Sequence, residues 1–151
     1  MTTTMLRVHL RAPLGALLLG TLLGLAPAAL PAREPRAASP EVGLSATESA
    51  LVDRTNDERA RRGLPPLTAD AGLMAGARRH AAWMAGNRTL AHGRGVTENI
   101  AMGQSNAGHA LGDWMRSDGH RANILGRGHS RIGVAVARAA DGTLYWCQQF
   151  R

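Results

Sequence analysis

The spacing of apolar residues changes three times along this chain. From Leu14 to Leu25 they form a nearly continuous run (LGALLLGTLLGL), with Arg7 and Arg11 before it and Ala26-Pro27-Ala28 after it. A basic start, an apolar stretch of about a dozen residues and a small-x-small tripeptide are the layout of a secretory signal peptide. The run is shorter than the roughly 20 residues that a bilayer span requires. Cleavage is expected after Ala28, with Ala32 as a second candidate, so residues 1–28 are assigned to the leader. No Cys follows the run to carry a lipid anchor, and no twin Arg precedes it. Pro31 to Pro40 (PAREPRAASP) has no apolar period. Residues 29–44 therefore read as a disordered linker, and the folded domain is expected over 45–151.

Beyond Ser45 the period becomes helical. Ser45 and Glu48 have capping-box spacing, and no Pro or Gly interrupts the run to Arg62. Gly63 stops this helix and Pro65-Pro66 prevents its resumption. Asp70 can cap a second helix from Ala71 to Ala85, whose apolar stripe is Leu73, Met74, Ala77, Ala81 and Met84. Gly86-Asn87 is expected to end it, and His80 borders the stripe as a packed edge residue. Leu90 to Gly103 reads as loop, with a short strand around Glu98 to Met102. A third helix is expected from Ala107 to Met115 with Leu111 and Trp114 inward. Ser117-Asp118-Gly119 breaks it before one or two further turns over His120 to Leu125. The period then falls to two. Ile132, Val134 and Val136 alternate with Gly133, Ala135 and Ala137, which predicts a half-buried strand. Asp141-Gly142 is a tight-turn signal, and Thr143 to Phe150 is the return strand. Helices first and an antiparallel hairpin last predict an α+β layer architecture.

Composition sharpens this picture in two places. The chain has 151 residues, 18 basic residues against 11 acidic ones, and a formal net charge of +7. Every cation is Arg, scattered except at Arg61-Arg62 and Arg78-Arg79, and no Arg block interleaves with aromatics, so no nucleic-acid partner is expected. Cys147 is the one cysteine. No intrachain disulfide is possible, so the exported domain must rest on packing alone, as a monomer. Cys147 falls in a strand and is expected to be a buried, inert thiol. Aromatics make up only 3% of the chain. Trp83, Trp114 and Trp146 each lie in a patterned segment and are read as structural.

Three polar clusters could carry chemistry: Leu90-Ala91-His92, Thr97-Glu98-Asn99-Ile100-Ala101, and Trp114 through Leu125. Two His and a Glu could bind a metal, but no local ligand pair such as HExxH is present. Ser117, His120 and a carboxylate could be assembled into a nucleophilic triad, but no G-x-S-x-G elbow is present. Spacing alone leaves both alternatives open.

The sequence resembles the bacterial branch of the CAP superfamily, whose relatives include cysteine-rich secretory proteins, insect venom antigens and plant pathogenesis-related proteins. The resemblance runs through Leu51-Val52, Asn56 and Arg59, Gly63-Leu64-Pro65-Pro66-Leu67, the Ala77–Met84 helix, His92, and Glu98-Asn99-Ile100-Ala101. It continues through Trp114, Ser117 to Leu125, Gly133-Val134-Ala135-Val136 and Tyr145-Trp146-Cys147-Gln148-Gln149-Phe150. It implies an α-β-α sandwich with a small antiparallel sheet between helical layers. It also implies a cleft built from His92, Glu98 and His120. Ser117 stands where many relatives have a second Glu, Thr97 where most have Gly, and Cys147 where a polar residue is more common. One acidic group cannot serve as both acid and base, so the loss of the second carboxylate weakens any catalytic role. His92 and His120 remain candidate ligands for a divalent metal such as zinc. No cofactor is required for folding. The leader implies a secreted, extracellular or periplasmic protein without a stable membrane anchor after cleavage. Its expected role is a non-catalytic binding module for a small apolar, lipid- or sterol-like, or cell-envelope ligand. The alternatives are a metal-dependent hydrolase or peptidase, and an interaction or structural protein with a vestigial cleft.

Overall fold

Ser45 opens the first helix with both halves of the expected capping box: Glu48 N–H donates to Ser45 Oγ (3.3 Å) and Ser45 N–H to Glu48 Oε2 (2.8 Å). The computed structural model describes residues 42–151, so the leader and most of the linker lie outside the described residues. Val42 and Leu44, assigned to the linker, pack against the core. Their segment is tied down by Arg78, which grips the Glu48 carboxylate with two bonds of 2.7 Å and donates to Gly43 O.

The elements are α1 (Ala46–Ala60), β1 (Thr68–Ala69), α2 (Ala71–Asn87), β2 (Thr97–Met102), α3 (Ala107–Arg116), α4 (Asp118–Ile124), β3 (Arg131–Arg138) and β4 (Leu144–Phe150). The sheet order is β1-β3-β4-β2, with β3–β4 and β4–β2 antiparallel. β1 adds a parallel edge beside β3, pairing Thr68 with Arg131 and Ala69 with Ile132. α2 covers one face of the sheet; α1, α3 and α4 lie on the other side. The fold is thus α+β, an α-β-α sandwich with a mixed sheet.

Three local expectations are corrected. α2 runs through Gly86 to Asn87, and the left-handed cap is Arg88 (φ 47°), whose N–H donates to Ala85 O. Packing of Met84 and Ala85 holds the last turn helical, which outweighs the modest intrinsic cost of a helical Gly. The break between α3 and α4 shrinks to Ser117 alone, in extended conformation (φ −99°, ψ 124°), because Asp118 and Gly119 are already helical. β3 is buried on both faces over Ile132 to Ala135. Ile132 and Val134 join the larger core with Leu51, Trp114 and Trp146, while Ala135 faces Ala77, Ala81 and Met84 of α2. Small side chains on that second face let helix and sheet approach closely, and so conceal the burial behind a weak hydrophobic signal.

Of the three tryptophans, Trp114 and Trp146 are buried at 1% exposure each, but Trp83 is 49% exposed. Trp83 lies beside the Ala77–Ala81–Met84 stripe, on the rim of α2, so reading it as structural is also corrected: it is a surface ring. Arg59 is fully buried, with no carboxylate paired to it among the described residues. Its guanidinium donates to the carbonyls of Pro65, Ile124, Gly126 and His129, tying α1 to the α4–β3 connection. The expected hairpin turn is present: Gly142 has φ 89° and Thr143 N–H donates to Asp141 Oδ1.

Candidate functional site

β2 is an edge strand of the sheet, so residues from both helical layers can meet around its first residues. Pairing with β4 sets Glu98 opposite Gln149 and Asn99 opposite Gln148. Successive strand residues point to opposite faces, and Glu98 accordingly packs with Gln149 and Cys147 on the α2 side.

The Glu98 side chain is only 1% exposed and both its oxygens are engaged. Oε1 accepts from Gly93 N–H (2.5 Å) and from His92 Nδ1 (3.1 Å), with His80 Nε2 at 3.5 Å. Oε2 accepts from Gln149 Nε2 (3.4 Å) and from the Cys147 thiol (3.8 Å). A buried acid group is tolerated only when bonded in this way. Burial pushes the Cys147 thiol far above its ordinary range, and the Glu98 charge adds to the rise. Cys147 is therefore held as the neutral thiol and shielded from solvent.

Hydrogen-bond chemistry orients the imidazoles. His92 donates from Nδ1 to Glu98, on a side chain that is 59% exposed. His80 Nε2 lies 2.9 Å from Ala91 O; a carbonyl only accepts, so this nitrogen carries the proton. His120 comes from α4 on the opposite face. Its carbonyl accepts from Asn99 Nδ2 (3.1 Å), and Asn99 is held by Gln148 and Asn123. Gln148 in turn donates to Thr55 Oγ1 of α1 (2.7 Å), so a buried polar chain crosses the domain to seat the α4 backbone. Burial, and then the nearby His92, lower the His120 pKa.

Of the expected residues, His92 meets Glu98 directly, and His120 lies close enough to His92 to feel its charge while its carbonyl meets Asn99, the neighbour of Glu98. Ser117 caps α4 without a side-chain cap bond, and no hydrogen bond joins it to His120. His80 reads from the sequence as an edge residue, yet it stands beside Glu98. Its position bordering the α2 stripe is a signal, but nothing local shows which strand it meets. Gln149 carries no local signal at all, being 51 positions from its partner Glu98.

Among the described residues no group of three or more His, Cys, Asp or Glu side chains is disposed to hold a metal. His92 and His120 offer two imidazoles, and Glu98 is consumed as the residue that orients one of them. A catalytic zinc takes three protein ligands, which this donor set does not supply.

The model of the cysteine-rich secretory protein family, CAP, matches residues 52–150. The chain belongs to the CAP family. The uncharacterised protein YkwD of Bacillus subtilis is 33% identical over 125 residues, which is 71% of this chain and 48% of YkwD, so the chain spans about half of that relative's length. An extracellular SCP-domain protein of Bacillus anthracis has the same fold (TM-score 0.60, 26% identity, 70% of this chain and 40% of that one). So does an outer surface protein of Borrelia burgdorferi (TM-score 0.62, 18% identity, 68% and 89%). NaASP2, solved with Zn2+, is similar in fold (TM-score 0.57, 16% identity, 75% and 83%). No described helix is long and apolar enough to cross a membrane.

Proposed function

We propose that this CAP-domain chain is an exported, non-catalytic binding module for a small amphipathic lipid with an anionic head. The observation that carries the reading is a groove of about 440 Å³ between α1, α3 and the β3–β4 hairpin. Ala50, Ala107, Val136, Leu144 and Trp146 give it apolar lining, beside the charged Arg54 and Arg138. That volume is in the range of small-molecule sites. An aliphatic chain would gain roughly 0.8 kcal/mol per methylene removed from water. Guanidinium groups recognise a carboxylate or phosphate head in bidentate fashion. Export rests on the Arg7–Ala28 leader pattern and on the extracellular relatives.

The His–Glu cleft supports turnover less well. Acid–base hydrolysis needs separate proton donor and acceptor roles. The one carboxylate, Glu98, is buried and already accepts several bonds, and Ser117 stands at the second acidic position.

The test is displacement of a fluorescent long-chain fatty acid from delipidated protein. Ala50→Phe, which fills the groove, should weaken binding at least about tenfold. Arg54→Gln with Arg138→Gln should abolish the preference for a fatty acid over the fatty alcohol of the same length. Wild-type affinity in Ala50→Phe would remove the groove from the reading.

A further inference from the structure

Trp83 is the most exposed large apolar side chain among the described residues, and neither the lipid groove nor the buried carboxylate uses it. Its ring is stacked on His80, with centroids 5.8 Å apart and planes 7° from parallel. His80 is itself pinned by Ala91 O at 2.9 Å. The stacked imidazole supports one face of the indole and favours one orientation, which lowers the ordering cost that a freely rotating side chain would pay on binding.

The same ring lines a shallow groove of about 410 Å³ with Gly76, Arg79, Arg94, Val96 and Gln149. Gln149 Nε2 is directed at Glu98, and its Oε1 faces Gly76 so closely that a Cβ on Gly76 would lie 2.5 Å away. The missing side chain at Gly76 keeps the groove floor open. Arg79 and Arg94 are both exposed and pair with no carboxylate among the described residues.

We propose that this groove is a second binding site, which takes an anionic polysaccharide. A pyranose presents a flat, apolar C–H face that packs on an indole, together with equatorial hydroxyls at its edge. Aromatic rings with polar neighbours suit such amphipathic ligands. Arg79 and Arg94 supply forked donors for the carboxylates or sulfates of the sugar chain. A single-stranded nucleic acid calls for a series of stacking rings along a cationic track, whereas this groove holds one exposed ring.

Purified protein should be titrated calorimetrically with an oligogalacturonate, a neutral malto-oligosaccharide and oligothymidylate. Acrylamide quenching of tryptophan fluorescence should be followed in parallel. Trp114 and Trp146 are buried, so the quenchable emission reports Trp83. The oligogalacturonate should bind, shield the indole, and exceed the neutral sugar in affinity at least about tenfold. Trp83→Ala should lose binding by a similar factor. Arg79→Gln with Arg94→Gln should weaken it and flatten its salt dependence. These side chains are exposed, so unchanged melting curves will show that the variants remain folded. Equal affinity in Trp83→Ala, no binding of the oligogalacturonate at millimolar concentration, or tighter binding of oligothymidylate would each overturn the proposal.

Discussion

Gly133→Ala puts the closeness of helix and sheet to the test. Gly133 lies in β3 opposite Gln149 of β4. A Cβ there would stand 2.1 Å from Leu73 C, 2.2 Å from Leu73 O and 2.5 Å from Met74 N. These are backbone atoms in the first turn of α2, anchored where Leu73 N–H donates to Asp70 Oδ1 at 3.0 Å. No side chain can swing aside. Carbon atoms in contact rest about 3.5–4.0 Å apart, so β3 and α2 must separate by more than about 1 Å and loosen the alanine layer at Ala77, Ala81 and Ala135. Overpacking a core costs about 1–3 kcal/mol, more when the backbone must move, and this site belongs at or above the upper end. For a domain of this size about 3 kcal/mol lowers Tm by roughly 12 °C. Gly86→Ala is the control. Gly86 is helical, with nothing within 4 Å of an added Cβ, so the substitution should stabilise by about 0.5–1 kcal/mol. Thermal melts followed by far-UV circular dichroism compare the two. A Gly133→Ala protein melting within about 2 °C of wild type would refute the close approach of α2 to the sheet.

Trp114→Ala should cost about 3–5 kcal/mol in urea unfolding, since it empties a core site and strands Ile100 O, which accepts from Trp114 Nε1 at 3.0 Å; an unchanged midpoint counts against its burial. Cys147 should resist a thiol-specific disulfide reagent in native buffer and react fully in denaturant, and labelling at equal rates in both would show that the β2–β4 edge opens. Burial, and secondarily Arg59, lower the His129 pKa below 6.5, and His120 is lowered in the same direction. Their contribution to stability is therefore present above the unfolded value of about 6.5 and is lost as pH falls below it; Tm should drop between about pH 7.5 and pH 5, and drop less in His129→Gln. Zinc binding by titration calorimetry should be modest, weaken below about pH 6.5 as protons compete for the imidazoles, and be lost in His92→Ala and in His120→Ala; equal affinity in all three proteins removes the cleft-metal idea.

What the sequence determined by itself was local. The Ser45–Glu48 capping box, the Asp70 cap, the Asp141-Gly142 turn, the two strands of the terminal hairpin and the inward phase of Trp114 were all legible, because caps, turns and periodicity act between residues a few positions apart. The ordered motifs from Leu51 to Phe150 were enough to recognise the family and hence the sandwich. Tertiary packing decided the rest. Gly86 stays helical because Met84 and Ala85 are held in the core. Trp83 is exposed, although its segment has helical periodicity. β3 is buried on both faces because Gly133 and Ala135 accept α2 at close range, which a period-two reading cannot tell from a solvated face. His80 and Gln149 reach Glu98 from 18 and 51 positions away. Such contacts depend on which faces of distant elements meet, and that is settled only when the whole core packs.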